Sequence, residues 1–422
     1  MKISSLAKKY DISKDALYFY ISKGLLIPRM NGKQYVVDET LEHDLQLILK
    51  YRDWGFSLNE IHSILSAMRK NTYDDDHIVR AFISDMLSKK ADSIRDEISE
   101  LREKLVNILS ENDSILASED YSEGEHRQLG VPLSMVSMLK CPLCGGSFNF
   151  SNSEMSQTQI MNADVSCMCG YSAVVKNGIL MTPNTNQSKY DHADVSREIY
   201  NDIPDMLISL YQKSYYWMEQ RLEDILEPHS TILETHLNAY FFLQNELRFL
   251  EEKKGRLILV DKFPEILEMY KTVIERQGVD VEVLFIATDG TNLPISENSI
   301  DVFTDFFGSD EHQFFNDTNL VSQLDPYIRP NAYIVSTYFS IPEGRESIKS
   351  MRKLYPEASP DNFNLSSFRN KVTNSGYSEL ESEFVGETNE TGDNYWCFGF
   401  VDKNEKIRLD SFLFKKDSAK AE

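Results

Sequence analysis

The chain has 422 residues, 41% apolar and 26% charged, with a formal net charge of −23. That length exceeds a single core and implies two to four domains, and the acidity excludes a protein coated along its length by nucleic acid. No apolar run reaches the length of a membrane span, the N-terminus lacks a signal-peptide core, and a cytoplasmic protein with no membrane partner is expected, its five cysteines kept reduced.

The charge is uneven. Residues 1–70 carry 11 Lys+Arg against 8 Asp+Glu, a net of +3, whereas the remainder carries a net of −26. A mildly basic head on an acidic body fits duplex DNA contact by the head alone. Ser4 or Ser5 can cap a first helix. Ser13 precedes Lys14-Asp15-Ala16-Leu17 and caps a second, with Leu17, Tyr20 and Ile21 inward and Lys14, Asp15, Tyr18 and Lys23 outward. Two short helices joined by a tight turn suit a helix-turn-helix, and Asn31-Gly32 between apolar pieces predicts a hairpin, or wing. Leu45, Ile48, Leu49 and Arg52 mark a third helix, and Ser57-Leu58-Asn59-Glu60 is a capping box that opens a fourth. This winged helix-turn-helix unit spans 1–76.

Over 77–117 the pattern is one long helix. Leu87, Ile94, Leu101 and Ile108 recur every seven residues, with Ala91, Ile98 and Leu105 four after the first three. A helix lying on its own domain is one reading. The narrow a/d stripe favours the other, a coiled-coil homodimer. Residues 118–135 read as a linker. A zinc ribbon is expected over 136–185. There Cys141-Pro-Leu-Cys144 and Cys167-Met-Cys169 form two knuckles, the second shorter than the usual spacing. Four thiolates can wrap one structural Zn²⁺ and leave no open position for catalysis, against four buried free thiols as the bland alternative. Cys397, in an apolar run, reads as a core thiol.

From 190 to 415 helix and strand alternate. Strands are expected at Thr231–Thr235, Arg256–Asp261, Val281–Ala287, Ile300–Phe306, Ala332–Phe339, Ser378–Val385 and Tyr395–Asp402. Such alternation implies a largely parallel Rossmann-like α/β sheet, and the last two strands imply an antiparallel end.

The head resembles the MerR family of bacterial transcription regulators over 1–72. The resemblance rests on Leu17-Tyr18-Phe19-Tyr20 before Gly24-Leu25-Leu26 and Pro28-Arg29, on the wing, and on Trp54-Gly55-Phe56-Ser57-Leu58-Asn59-Glu60-Ile61. It implies a dimer that distorts an unusually long promoter spacer and acts with RNA polymerase at the promoter, a shape-based switch. The candidate contacts to promoter DNA are Lys14 and Tyr18 on the recognition helix, Arg29, and Lys33 and Tyr35 in the wing. Each has a solvated surface role as its alternative. Tyr18 and Lys33 stand where the family usually has Arg.

From Cys141 onward the chain resembles RlmA-type ribosomal RNA guanine methyltransferases, which place a zinc ribbon ahead of a class I methyltransferase fold. Asp261 stands where the resemblance implies an acid for the ribose of S-adenosylmethionine (SAM), and Asp289 precedes Asn292-Leu293-Pro294-Ile295-Ser296-Glu297-Asn298-Ser299-Ile300-Asp301-Val302, which matches the family's Leu-Pro-Phe, acid, Ser-Phe-Asp stretch. After Ile232-Leu233-Glu234, however, His236, Asn238 and Tyr240 occupy the positions of a glycine-rich loop. Glycine serves there because the backbone must adopt positive φ close to the cofactor. The expectation is a retired methyltransferase domain that does not hold SAM in the usual way and that senses a small-molecule effector or braces the dimer. Glu234, His236, Asn238, Tyr240, Asp261 and Asp289 are its candidate ligand-binding residues. The rival expectation is a SAM-dependent methyltransferase tethered to DNA.

Overall fold

A computed structural model describes residues 3–32, 34–69, 76–117, 128–184, 188, 190–342, 344–393 and 398–418. They fall into two compact units, Met1–Tyr121 and Ser122–Glu422. Among the described residues no helix is long and apolar enough to cross a membrane.

In the first unit α1 (Ile3–Lys9) and α2 (Lys14–Ser22) lead into β1 (Arg29–Asn31) and β2 (Gln34–Val36), followed by α3 (Glu39–Asp53), α4 (Leu58–Arg69) and α5 (Asp76–Ala117). Helix starts are fixed by side-chain acceptors that satisfy orphan backbone donors. Ser13 Oγ takes the Ala16 N–H at 3.0 Å, and Asp38 Oδ1 takes that of Leu41 at 2.9 Å. At α4 the expected capping box forms in both directions: Ser57 N–H donates to Glu60 at 2.6 Å, and Glu60 N–H to Ser57 Oγ at 3.3 Å. Leu17, Tyr20, Leu41, Leu45, Ile48, Ile61 and Ile64 fill one core. Arg69 ties α4 to the turn after α2, donating to the carbonyls of Gly24 and Leu25 while pairing with Asp44 at 2.7 Å.

Helix α5 starts by packing Ile83, Met86 and Leu87 against that core. Farther along, the stripe expected from the heptads is solvent-facing in the single chain: Ile94, Ile98, Leu101, Leu105 and Ile108 are exposed by 39 to 65%.

The second unit is built on one sheet. Its strands are β3 (Val131–Pro132), β4 (Asn149–Ser156), β5 (Gln159–Ser166), β6 (Ser172–Lys176), β7 (Ile179–Met181), β8 (Thr231–Thr235), β9 (Arg256–Asp261), β10 (Glu282–Ala287), β11 (Ile300–Phe306), β12 (Ile328–Ser340), β13 (Tyr377–Thr388) and β14 (Ile407–Lys416). The order is β13-β14-β12-β11-β8-β9-β10-β7-β6-β5-β3, with β4 on the side of β5. Strands β8 to β12 are mutually parallel and carry near-continuous buried runs, as a sheet covered on both faces requires. Helices α6 (Asp205–Ile225), α7 (Leu247–Glu252), α8 (Pro264–Gln277) and α9 (Gly308–Phe315) are among its cover. Strand β7 joins β10 in parallel register, Phe285 opposite Ile179, so the strands that flank the cysteine turns continue the α/β sheet.

Two expectations are corrected. Residues 129–135 are not a linker: Leu129, Val131 and Met135 are buried, and Val131 pairs with Ile160. Residues 118–127 lie outside the described residues. The closing strand is Ile407–Lys416 rather than Tyr395–Asp402. It runs antiparallel between β12 and β13, giving the antiparallel end in a different segment. Phe398, at φ +60°, and Phe400 instead fold as a buried turn against Phe363. Residues 394–397, Cys397 included, lie outside the described residues.

The Asn177-Gly178 turn joins β6 to β7 with both residues at positive φ, as a tight hairpin demands. A side chain on Gly178 would meet the Leu129 carbonyl oxygen at 2.5 Å. Gly178→Ala is therefore expected to destabilise the second unit by about 1–3 kcal/mol, read as a lowered urea midpoint, with DNA binding by the head unchanged.

Candidate functional site

The recognition elements of the head converge at α2 and the wing. Lys14 and Tyr18 lie on the exposed side of α2, Tyr18 by 48%. Its ring reaches toward Tyr35 of β2, centroids 6.3 Å apart, so helix and wing present one surface. The Arg29 side chain is 82% exposed and pairs with Asp38 at 3.2 Å. The structure thus brings four of the five sequence candidates to that face; Lys33 lies outside the described residues. Exposed Phe19 and Met30, which the sequence reading passed over, are apolar neighbours on the same two elements.

The four cysteine candidates meet. The sulfurs of Cys141, Cys144, Cys167 and Cys169 all lie within 4.8 Å of one another, with Cys141–Cys169 at 3.5 Å and Cys144–Cys167 at 3.4 Å. A tetrahedral Zn²⁺ with Zn–S near 2.3 Å sets its sulfurs about 3.8 Å apart, so the donor set fits. Backbone N–H groups of Leu143, Cys144, Gly146 and Tyr171 donate to the sulfurs, and the Tyr171 donor helps to hold the Cys169 thiol down at about 7. The short second knuckle still closes the set.

The third candidate group surrounds the carboxyl ends of β8, β9 and β10. Strand order reverses at β8, between β9 and β11, and a doubly wound sheet opens its ligand crevice at such a point. The loop after β8 enters it with His236 at φ +60°, the left-handed conformation that the replaced glycine would take freely. Gly290 accommodates this ring: a side chain there would approach His236 at 3.0 Å. Asp261 is buried and turned to the backbone. Its Oδ2 accepts the Asn238 N–H and its Oδ1 the Phe263 N–H, both at 2.8 Å. Glu234 is likewise turned inward, accepting from Phe242 at 2.6 Å and Leu243 at 3.0 Å. Asn238 clamps the preceding chain, its Oδ1 accepting from Asp194 N–H and its Nδ2 donating to the His192 carbonyl. Tyr240 packs on Phe306, centroids 4.7 Å apart. Only His236 and Asp289 of the six border the open space.

That space is a cavity of about 370 Å³, lined by Asp191, His236, Lys262, Asp289, Thr291, Phe315 and Glu357, among others. A larger groove of about 600 Å³ beside Ile341, Phe363 and Arg408 holds none of the candidates. Lys262, missed by the sequence reading, is the internal cation of the crevice. Its ammonium pairs with Asp191 and with Glu311 at 3.2 Å, and lies 4.7 Å from the Phe315 ring centroid. The available signal was its position directly after the acid that ends β9. Burial raises Glu234 and Glu311 to about 8, and Asp261 and Asp305 to about 6. It holds His236, also repelled by His312 and Lys262, well below its ordinary value.

Two family models match the chain. "MerR HTH family regulatory protein" matches residues 1–68, and "MerR, DNA binding" residues 42–107. The N-terminal region is a MerR-family DNA-binding regulator domain, and that domain implies DNA binding. No curated protein matches the chain. Among solved structures, phosphoethanolamine N-methyltransferase 2 from Haemonchus contortus is similar at 12% identity over 58% of this chain and 63% of that one, with a TM-score of 0.39. Geranyl diphosphate C-methyltransferase from Streptomyces coelicolor is similar at 6% identity over 49% and 76%, with a TM-score of 0.38. The chain therefore combines a MerR helix-turn-helix with a long helix, a four-cysteine cluster and a Rossmann-like, class I methyltransferase-like fold, the last carried by its own strand order.

Cys144→Ser and Cys167→Ser are each expected to abolish stoichiometric zinc, measured by elemental analysis of dialysed protein, and to lower the melting temperature of the second unit. A pH effect also follows. The buried carboxyls bind protons more tightly folded than unfolded, so their protonation supports the fold below about pH 4. That support is lost as pH rises through about 6 for Asp261 and Asp305 and about 8 for Glu234 and Glu311. Calorimetry is expected to give a lower melting temperature at pH 8.5 than at pH 6.

Proposed function

We propose that this chain is a dimeric transcription regulator of the MerR type. It distorts promoter DNA and acts with RNA polymerase there, while its methyltransferase-like domain serves as an effector-sensing or structural module. The observation that carries the reading is the pairing of a winged helix-turn-helix with a 42-residue helix whose apolar stripe from Ile94 to Ile108 is exposed among the described residues. Two such stripes would bury each other and set two heads on an inverted repeat, as two-fold symmetry requires. Lys14 and Tyr18 would reach the duplex from α2, and Arg29, Lys33 and Tyr35 from the wing; phosphate contacts fix register and base contacts specify.

Zinc is proposed as the metal of the four-cysteine cluster. Cys141, Cys144, Cys167 and Cys169 would hold it as thiolates. Its role would be structural, because four protein ligands leave no position for water or substrate. A resident SAM methyltransferase is the weaker reading: Asp261, the acid that would hold the ribose, has each oxygen on a backbone amide, and the loop after β8 carries side chains instead of glycines.

An electrophoretic mobility shift on the protein's own promoter region is expected to show salt-sensitive binding. Lys14→Glu should weaken it at least tenfold, about 1.4 kcal/mol. Leu101→Glu combined with Leu105→Glu should give a monomer in sedimentation and a comparable loss of DNA affinity. Failure of the wild-type protein to shift the promoter would defeat the reading.

A further inference from the structure

The crevice at the ends of β8, β9 and β10 combines a concave, half-open shape with polarity and charge in a way that selects among ligands. About 370 Å³ falls in the range of small-molecule sites. Its lining is mostly polar, so a purely apolar molecule gains little there. Lys262 is already paired with the buried Asp191, with the Glu311 carboxyl 3.2 Å away, so it does not offer a free positive charge to an incoming anion. Asp289 and Glu357 add two further carboxylates. Asp289 uses Oδ1 on the Thr291 N–H and hydroxyl of its own turn, at 3.1 and 3.0 Å, and Oδ2 has no hydrogen bond among the described residues.

His236 supplies the independent sign of a ligand. The residue is only 5% exposed and borders the cavity. Its Nδ1 lies 2.9 Å from Thr235 Oγ1, whereas its Nε2 has no hydrogen bond among the described residues. That nitrogen is not sealed in the protein but open to the cavity, so its partner must come from the cavity. The tautomer in which Nδ1–H donates to Thr235, assigned from that bond, leaves Nε2 as a lone-pair acceptor facing the cavity. Burial beside Lys262 keeps the ring neutral, which preserves the acceptor.

We propose that this cavity binds a small organic cation bearing primary amine or guanidinium N–H donors, held by Asp289 and Glu357 with His236 Nε2 accepting one further hydrogen bond. The inference rests on the effector-sensing reading and names the ligand class for it. A nucleoside is disfavoured because Asp261 is turned to Asn238 and Phe263, and an anion because the carboxylates outnumber the one ammonium.

The test is calorimetric titration of the full-length, DNA-free protein with agmatine and with spermidine, using tetramethylammonium, adenosine and SAM as comparison probes. Agmatine or spermidine is expected to bind with unit stoichiometry, and tetramethylammonium, which has charge but no N–H, to bind at least tenfold more weakly. Asp289→Asn should weaken binding at least tenfold. His236→Asn, which tolerates the same backbone conformation, should weaken it severalfold. Glu357→Gln lies on an exposed side chain and provides a variant that leaves the core untouched; it too should weaken binding. The proposal is overturned by no binding of either polyamine-type probe, by binding that all three variants leave unchanged, or by adenosine or SAM occupying the site in preference. Each of those results leaves the promoter mobility shift unaffected, so failure of the ligand class and failure of the regulator reading are distinguishable.

Discussion

The second unit turns on one carboxylate. Asp261 ends β9 and joins two neighbouring loops by accepting the amides of Asn238 and Phe263. A buried carboxylate is costly unless its oxygens are satisfied, and here two backbone donors satisfy it. The bond to Asn238 fixes the loop after β8, and that loop in turn receives the preceding chain: Asn238 takes Asp194 N–H, while Arg197 and Tyr200 donate to the carbonyls of Asn238 and Ala239 at 2.9 and 2.5 Å. The crevice of a cofactor fold is thereby partly filled by its own chain. What stays open is the space beyond His236, and its chemistry is set by Lys262 and the acids around it.

Sheet continuity links that space to the cysteine cluster. Because β7 pairs with β10, the strands that flank the cysteine turns extend the same hydrogen-bonded array whose ends form the crevice. Thr182, just after β7, bonds the Ala287 carbonyl through both its N–H and its hydroxyl, at 3.0 and 3.1 Å. Ala287 stands two residues before Asp289. On the other side, Lys140 N–H reaches the Pro294 carbonyl and Ser296 N–H the Met138 carbonyl, so the segment entering the first knuckle is stitched to the loop after β10. A metal that ordered the knuckles would order this boundary as well.

Legibility in the sequence followed how local each signal was. Ser57 and Glu60 announce their helix within four residues, and the central strands announce themselves by uninterrupted apolar runs; Arg256–Asp261 appears where it was expected. The cysteine spacing foretold a cluster because few other arrangements use four cysteines in that pattern. The last strand was misplaced because its evidence is not local. Phe398 and Phe400 look like strand residues but serve as plugs, whereas Asp410 and Ser411 break an apolar pattern at 407–414 and are acceptable only because Arg408 pairs with Asp410, and Ser411 shares hydroxyl bonds with Ser214 and Thr337. The Lys262–Asp191–Glu311 group was invisible for the same reason: its members lie far apart in the sequence, and only the folded crevice joins them.

The charge distribution separates the head from the rest of the chain. Residues 1–70 carry a net of +3 and the rest a net of −26. Attraction between phosphates and the head is short-ranged at physiological salt, where the screening length is about 8 Å. In the crevice the buried Asp191 is screened less by solvent than the half-buried Asp289 and the exposed Glu357. Any ligand held there would alter DNA binding only by its unequal affinity for two conformational states of the protein. The groups that could sense such a difference are those bridging separate segments of the crevice. Asp191 and Lys262 are the clearest, because their pairing ties the chain before α6 to the end of β9, and a competing cation would act on that tie.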